Sequence, residues 1–396
     1  IFTTEFEGVI PGLLKRWYAE RKDMQKMLKK AKDAENKAEI EYWDKRQLVK
    51  KINLNSLYGA ILNPGCRFFD KRIGQSTTLS GRTIVKHMSA EVNKTITGEY
   101  DHVGQAMIYG DTDSCYFSAW PILKDEIDAG KIPWSKENAI ILYDQVCEQA
   151  NTTFEKFMYE AFHCPKSRSD VIAAGREIVA ESGLYITKKR YAALVIDNEG
   201  FRTDADGIGK VKAMGLDLRR SDTPVFMQDF LKELLTMVLT DVPQKEVLDR
   251  ITEFRKEFSD RPGWEKGAPK RANKVGHYRR LEEKQGKANM PGHVRASLNW
   301  NTLKRMNGDK YSQEIVDGMK VIVCKLKQNP LGYTSVAYPT DELRIPEWFK
   351  ELPFDDAAMA ETIIDNKLDN LIGVLNYPLE DTKQDTTFHS LFDFGD

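Results

Sequence analysis

Apolar residues recur at three- and four-residue spacing through Leu13, Leu14, Trp17, Met24 and Leu28, with Arg21 on the same stripe. That period predicts an amphipathic helix. Pro11 and Gly12 punctuate its start. The Ala- and Lys-rich stretch at 27–37 continues it with good helix formers. A polar patch at 34–41 predicts a turn between two antiparallel helices. The second helix would carry Tyr42-Trp43 through Leu57 and end near Tyr58-Gly59, ahead of the stop Asn63-Pro64-Gly65. Helical patterns follow at 75–97, 135–162, 224–239 and 244–258. Strand-like runs lie at 177–196, where Lys188-Lys189-Arg190 separates two apolar stretches, and at 319–325. Between Gly215 and Pro224 the pattern is that of a loop closing on a helix start, with Ser221 or Asp222 as its cap.

The most distinctive stretch is Tyr109-Gly110-Asp111-Thr112-Asp113-Ser114, flanked by Ala106-Met107-Ile108 and Cys115-Tyr116-Phe117. Two apolar runs around a tight turn built on Gly110 predict a β-hairpin. Asp111 and Asp113 would share a face in a regular strand, although a turn breaks that phase. Crowded carboxylates repel, and a divalent cation with hard oxygen ligands relieves the repulsion. Mg²⁺ needs only one or two carboxylates when substrate phosphates complete its shell. The plainer alternative is a polar turn, since Asp and Gly are favoured there. On the second predicted helix, Lys51, Asn55 and Tyr58 fall at i, i+4 and i+7, hence on one face. Such a stripe suits phosphate, base and sugar, or simply the border of an amphipathic helix.

Composition changes the picture in its distribution. The chain has 396 residues, enough for two or three domains, and a net charge of −1. Residues 15–51 carry 13 Lys/Arg against 7 Asp/Glu, and 261–310 carry 13 against 4, whereas 339–396 carry 4 against 14. Two basic blocks and an acidic end point to a polyanionic partner or to solvated helix faces. In 259–310 the aromatics Trp264, Tyr278 and Trp300 are interleaved with Lys, Gly and Pro, which suits nucleic-acid stacking or a mobile loop. Five cysteines without Cys-x-x-Cys spacing suggest neither a disulfide framework nor a zinc site, and predict a reducing compartment. No apolar run of spanning length is present, so no membrane role is expected. The chain opens with Ile1, as a fragment, a processed product or an incomplete record would.

Together the motifs resemble those of family B DNA polymerases. Lys51-Ile52-Asn53-Leu54-Asn55-Ser56-Leu57-Tyr58-Gly59 resembles motif B, and Tyr109-Gly110-Asp111-Thr112-Asp113-Ser114 matches motif C in full. Lys189-Arg190-Tyr191 looks like the Lys-x-Tyr primer-holding element, and Met214-Gly215-Leu216-Asp217 with Arg219-Arg220-Ser221-Asp222-Thr223-Pro224 resembles the palm-to-thumb junction. Pro291-Gly292-His293-Val294-Arg295-Ala296, Asn329-Pro330-Leu331-Gly332 and the Phe-rich C-terminus are similar to the polymerases of T-even-type tailed phages.

The resemblance implies an α+β, right-hand polymerase fold, with helical fingers at 1–62, an antiparallel-sheet palm at 63–215 and a mostly helical thumb at 216–380. A flexible tail at 381–396 would bind a sliding clamp through Leu391, Phe392 and Phe394. It implies two Mg²⁺ ions, with Asp113 as direct ligand and Asp111 as auxiliary. Arg21, Lys51, Asn55 and Tyr58 would bind the deoxynucleoside triphosphate, and Lys189, Tyr191, Lys212, Arg219 and Arg220 would bind primer-template DNA. Two departures stand out. The family's motif A, Asp-x2-Ser-Leu-Tyr-Pro-Ser, is not found in the sequence, nor are the exonuclease and N-terminal domains. Gln25 stands where phage relatives often carry a basic residue, with Lys26 one position on. The expectation is a polymerase subunit or fragment of a virus-encoded enzyme working in the cytoplasm of an infected bacterium. It would be inactive alone, with motif A supplied by an N-terminal polymerase half. The alternative is a non-catalytic module that holds DNA and a clamp.

Overall fold

The computed structural model describes residues 5–169, 172–286 and 288–383. They mix helices with antiparallel sheets, an α+β fold, and divide into two compact units. One comprises 1–122 and 153–170, the other 123–152 and 171–396.

The first unit opens with α1 (Val9–Asp33) and α2 (Lys37–Ile61). The three residues between them turn through Glu35 at φ +51°, and the Asn36 side chain accepts from the Glu39 amide at 3.3 Å, capping α2. Glu20 pairs with Lys50, and Arg21 Nε donates to Gln47 Oε1 at 3.3 Å, so the helices run antiparallel as the polar patch predicted. Helix α3 (Lys71–Thr97) is capped by Asp70, which accepts from the Arg72 amide at 2.8 Å, and ends at Gly98 with φ +85°. It begins four residues earlier than the apolar pattern indicated, because the cap lies outside that pattern. The hairpin β1 (Met107–Asp111) and β2 (Ser114–Phe117) follows, then α4 (Trp120–Asp128) and α5 (Lys136–Phe162). The last ten residues of α5 belong to the first unit, as does α6 (Lys166–Ser169).

The second unit is built on a sheet of β3 (Ile178–Thr187), β4 (Arg190–Asn198), β5 (Phe201–Arg202) and β6 (Lys210–Met214). Strand β4 is central, and Tyr191 to Asp197 are all buried. Arg176 bridges Asp144 and Asp197, each at 2.5 Å, so the buried Asp197 carboxylate is paired. Helices α7 (Val225–Leu239) and α8 (Gln244–Ser259) carry Leu231, Leu234, Leu235 and Ile251 into the core, all at 0 % exposure. Helix α7 is not capped by Ser221 or Asp222. Pro224 is its N-cap residue, and Asp222 pairs instead with Arg220 and Lys270 at 3.1 Å each.

A second, three-stranded sheet joins β7 (Ala268–Arg271) to β8 and β9. Helices α9 (Val275–Gln285) and α10 (Gly292–Met306) come next in the chain, then β8 (Lys320–Lys325) and β9 (Ser335–Pro339). Short helices α11 (Glu347–Lys350), α12 (Asp356–Ala360) and α13 (Asn366–Ile372) close the fold. The segment 259–310 is therefore mostly ordered. Trp300 is fully buried against Trp348 and Phe349, and its Nε1 donates to the Gln313 carbonyl at 2.9 Å, which leaves it no face for a base. Trp264 and Tyr278 also pack against this core.

His87 ties the first unit together. Its ring stacks on Phe157 at 3.8 Å and 2°. Nδ1 meets the Tyr100 hydroxyl at 2.9 Å and Nε2 the Thr153 hydroxyl at 3.0 Å. Burial pushes the imidazole below its usual value, while Glu91 pulls it up and Lys94 pulls it down. The unfolded chain therefore takes up the proton first. The stabilisation is full above about pH 6.5 and is lost as pH falls toward the depressed folded value. Thermal unfolding should show His87→Phe less stable at pH 8, by about 1–3 kcal/mol for two hydrogen bonds, with a shallower loss between pH 7 and 5 than the parent chain. Parallel pH profiles would show that His87 does not titrate in this way.

Candidate active site

Strands β1 and β2 pair antiparallel with Tyr109 opposite Tyr116, Gly110 opposite Cys115 and Asp111 opposite Ser114. The hairpin turn is thus Thr112-Asp113, and Gly110 lies inside a strand rather than at the turn. Locally, Asp111 Oδ1 accepts from the adjacent Thr112 amide at 3.0 Å and from the Thr112 hydroxyl at 3.1 Å, side-chain contacts that hold the start of the turn without glycine, with Thr112 at φ +20°. The strand phase ends at Asp111, which is half-buried. Asp113 stands exposed at the tip.

Both carboxylates offer hard oxygen donors and fit a divalent cation in chemistry. They do not complete a shell: among the described residues no group of three or more His, Cys, Asp or Glu side chains could hold a metal ion. Water, backbone carbonyls or a substrate's phosphate oxygens would supply the rest of the shell.

Helix α2 runs unbroken through Lys51, Asn55 and Tyr58, so the predicted shared face is real. Lys51 and Asn55 are exposed. Tyr58 is half-buried and its hydroxyl donates to the Gly74 carbonyl at 3.4 Å. Gly74 has no room for a side chain: a Cβ there would lie 2.0 Å from Leu62, so the end of α2 and the start of α3 meet at this glycine. Arg21 projects from α1 and is held by Gln47. Lys26 is exposed and paired with Asp23 at 3.2 Å, and Gln25 is half-buried. The two aspartates and the four nucleotide-binding candidates all belong to the first unit.

The DNA-binding candidates all belong to the second unit. Lys188 and Lys189 form the turn between Thr187 and Arg190, with Lys189 at φ +64°. Gly215, also in the left-handed region at φ +64°, lies against this turn, and a Cβ on it would be 2.1 Å from the Lys189 carbonyl oxygen. Gly215 and the basic turn are therefore one assembly. Lys189 is exposed. Tyr191 is only 8 % exposed, its ring stacked on Tyr185 at 5.6 Å. Lys212 extends to Glu177 at 2.8 Å. The exposed Arg220 is raised by Asp222, and Arg219 ends a short 3-10 turn at Asp217–Arg219. Burial pushes the Asp222 carboxyl up, but Arg220 and Lys270 outweigh it and hold it at about 2. Leu391, Phe392 and Phe394 lie outside the described residues.

Sequence reasoning missed Asn93. It lies on α3 at 0 % exposure and accepts from the Ala106 amide at 3.0 Å, immediately before β1. A buried asparagine beside Val92 on a helix was its one signal, and nothing in the spacing revealed its partner 13 residues away.

A family model for DNA polymerase family B matches residues 2–124, which contain both the Lys51–Tyr58 face and the Asp111–Asp113 hairpin. The chain is 28% identical over 309 residues to the DNA-directed DNA polymerase of Escherichia phage RB69 and 26% identical over 321 residues to that of Enterobacteria phage T4. Each match covers 74% of this chain and 33% of the relative, so the chain spans about a third of these relatives' length. It is also 29% identical over 237 residues to the DNA polymerase delta catalytic subunit of Glycine max, covering 59% of this chain and 18% of that protein. The chain thus resembles family B DNA polymerases, including those of T4-type phages, over about three quarters of its length.

Proposed function

We propose that the chain is part of a DNA-directed DNA polymerase that transfers nucleotides to a primer 3′-hydroxyl under template direction. The observation that carries the reading is the Asp111–Asp113 hairpin: two hard-oxygen side chains at the closed end of a two-stranded ladder, within the segment matched to DNA polymerase family B.

In this reading 1–62 are fingers, 63–215 palm and 216–380 thumb. Asp113, exposed at the tip, and Asp111 beside it would hold divalent metal, Mg²⁺ in a two-ion arrangement. When bound, such ions neutralise developing charge on the transferring phosphate and activate the primer hydroxyl. The residues of this chain do the positioning. Lys51 and Arg21 draw the triphosphate to the helical face, Arg with a fork suited to bidentate phosphate contact. Asn55 assists from the same stripe, and Tyr58, bonded to the Gly74 carbonyl, lies under the nascent base pair and senses its shape. Lys189, Lys212, Arg219 and Arg220 are the cations that hold primer-template phosphates. Tyr191 supports the Lys189 turn from within the sheet rather than by an open face.

The motif A aspartate is not among these 396 residues. Catalysis in this reading requires it from polypeptide outside them, an N-terminal polymerase half that also carries the exonuclease. The tail residues Leu391, Phe392 and Phe394 would dock on a sliding clamp. The phage relatives support a virus-encoded enzyme working in the bacterial cytoplasm.

Three outcomes test the reading in an assembly competent for extension. Asp113→Asn should lower kcat by about 10³-fold or more, and Asp111→Asn by less, in steady-state primer extension. Equal activity of Asp113→Asn and the parent would refute the assignment. Lys51→Ala should raise the nucleotide KM by about 10- to 100-fold, the worth of one hydrogen bond to a charged group. An unchanged KM would place the triphosphate elsewhere. Removing 390–396 should leave short-primer extension intact and reduce clamp-dependent product length, and unchanged product length would rule out the tail as a clamp peptide.

A further inference from the structure

We infer that Asn93 is the positioning residue for the carboxylate hairpin, and that the register of Asp111 is set from its side-chain amide. The identity of the metal and the reaction at Asp111 rests on the polymerase reading; the mechanical role of Asn93 does not.

Every polar atom of this amide is committed. Nδ2 donates to the Glu99 carbonyl at 2.8 Å and to the Thr97 hydroxyl at 3.0 Å, and Oδ1 accepts from the Ala106 amide at 3.0 Å. Thr97 in turn donates to the Asn93 carbonyl at 2.8 Å and accepts from the Glu99 amide at 3.2 Å, which fixes which way the amide faces. The connection from α3 to β1 therefore wraps around one side chain, touching it at both ends, Glu99 and Ala106. Gly104 completes the wrap. A Cβ there would lie 2.2 Å from Asn93 Nδ2, so the backbone passes directly over the amide and only glycine fits.

Ala106 is where this clamp meets the hairpin. Its N–H goes to Asn93, and its carbonyl accepts from the Ser118 amide at 2.9 Å, the rung below Met107 opposite Phe117. From that rung the ladder runs to Asp111 opposite Ser114, interrupted once by a bulge between Met107 and Tyr109 where Ile108 is extra. A bulge sets the face of every residue beyond it, and a slip of one residue turns each side chain to the opposite face. The hairpin has little packing of its own to hold this register, because none of its residues is fully buried; its other supports are the Thr112-Asp113 turn and the contact of β2 with α3. An isolated two-stranded hairpin is marginal in water. Asn93 at 0 % exposure supplies the fixed point from which the count begins.

The test is amide hydrogen exchange on the full chain, read at 106–117 and on α3. Asn93→Ala should raise hairpin exchange by about tenfold or more while amides in the first half of α3 keep their protection. Thr97→Val, which removes the hydroxyl that orients the amide together with its bonds to the Asn93 carbonyl and from the Glu99 amide, should raise it by a smaller factor in a chain that stays folded, and serves if Asn93→Ala does not fold. Asn151→Ala is the control: it removes a comparable clamp, in which Asn151 bonds both the amide and the carbonyl of Ala174 in the other unit, and should leave the hairpin unchanged. In an assembly competent for extension, Asn93→Ala should raise the half-saturating Mg²⁺ concentration while leaving the nucleotide KM at the parent value. Hairpin exchange within about twofold of the parent in both Asn93→Ala and Thr97→Val overturns the proposal. A parent assembly that extends no primer overturns the polymerase reading instead, and the exchange result still decides the role of Asn93.

Discussion

The buried amide of Asn93 is the contact on which the candidate site depends. The strands that carry Asp111 and Asp113 are five and four residues long and bury none of their side chains fully. Such a ladder has little hydrophobic energy of its own. Its position comes from outside, through Ala106 bonded to Asn93 and through the packing of β2 on α3. Helix α3, which bears Asn93, is held in turn by the His87 contacts to Tyr100, Thr153 and Phe157 and by the close approach of Leu62 to Gly74. The same Gly74 accepts from Tyr58. The face of Lys51, Asn55 and Tyr58 and the carboxylate hairpin are thus both referred to α3, one near each end of it.

The second unit meets a different constraint: it carries many cations while keeping a large apolar core. The cations that the core takes in are paired: Arg176 with Asp144 and Asp197, Arg255 with Asp365, and Lys266, at 1 % exposure, with Asp356 and the Ser259 carbonyl. Leaving such charges without partners would be costly. Of the candidate DNA contacts, Lys189 sits at a turn and Arg219 and Arg220 in the segment before α7, whereas Lys212 lies within β6, and Lys189 and Gly215 are interlocked by their backbones. The basic composition of 261–310 therefore has two physical meanings. Some of it is solvated surface on β7 and α9, and some, such as Lys266, is internal.

Much of this was legible because it is periodic. The α1–α2 hairpin, α5, the β3–β4 pair and the shared face of Lys51, Asn55 and Tyr58 all follow from spacing alone. The gathering of two carboxylates at the Asp111-Thr112-Asp113 turn was legible as well, since acids at a turn are conspicuous. What escaped was set by contacts distant in sequence or by side-chain bonds with no periodic trace. The turn moved from Gly110 to Thr112-Asp113 because Asp111 bonds its own neighbour. Trp300 looked like a stacking residue in a Lys- and Gly-rich segment until Trp348 and Phe349, almost fifty residues later, closed over it. Asn93 gave only a faint signal, an asparagine beside Val92 on a helix, because its partner Ala106 is defined only once the connection folds over Gly104.

The central claim is that these residues supply one carboxylate pair and the nucleotide-binding helices of a polymerase whose remaining aspartate comes from elsewhere. Primer extension with Mg²⁺ and four deoxynucleoside triphosphates tests it most directly, comparing the pure 396-residue chain with the same chain mixed with polypeptide carrying the motif A segment. Extension on mixing, with none from either component alone, is the predicted result. Metal-dependent extension by the pure chain alone, or none from the mixture, would contradict the account.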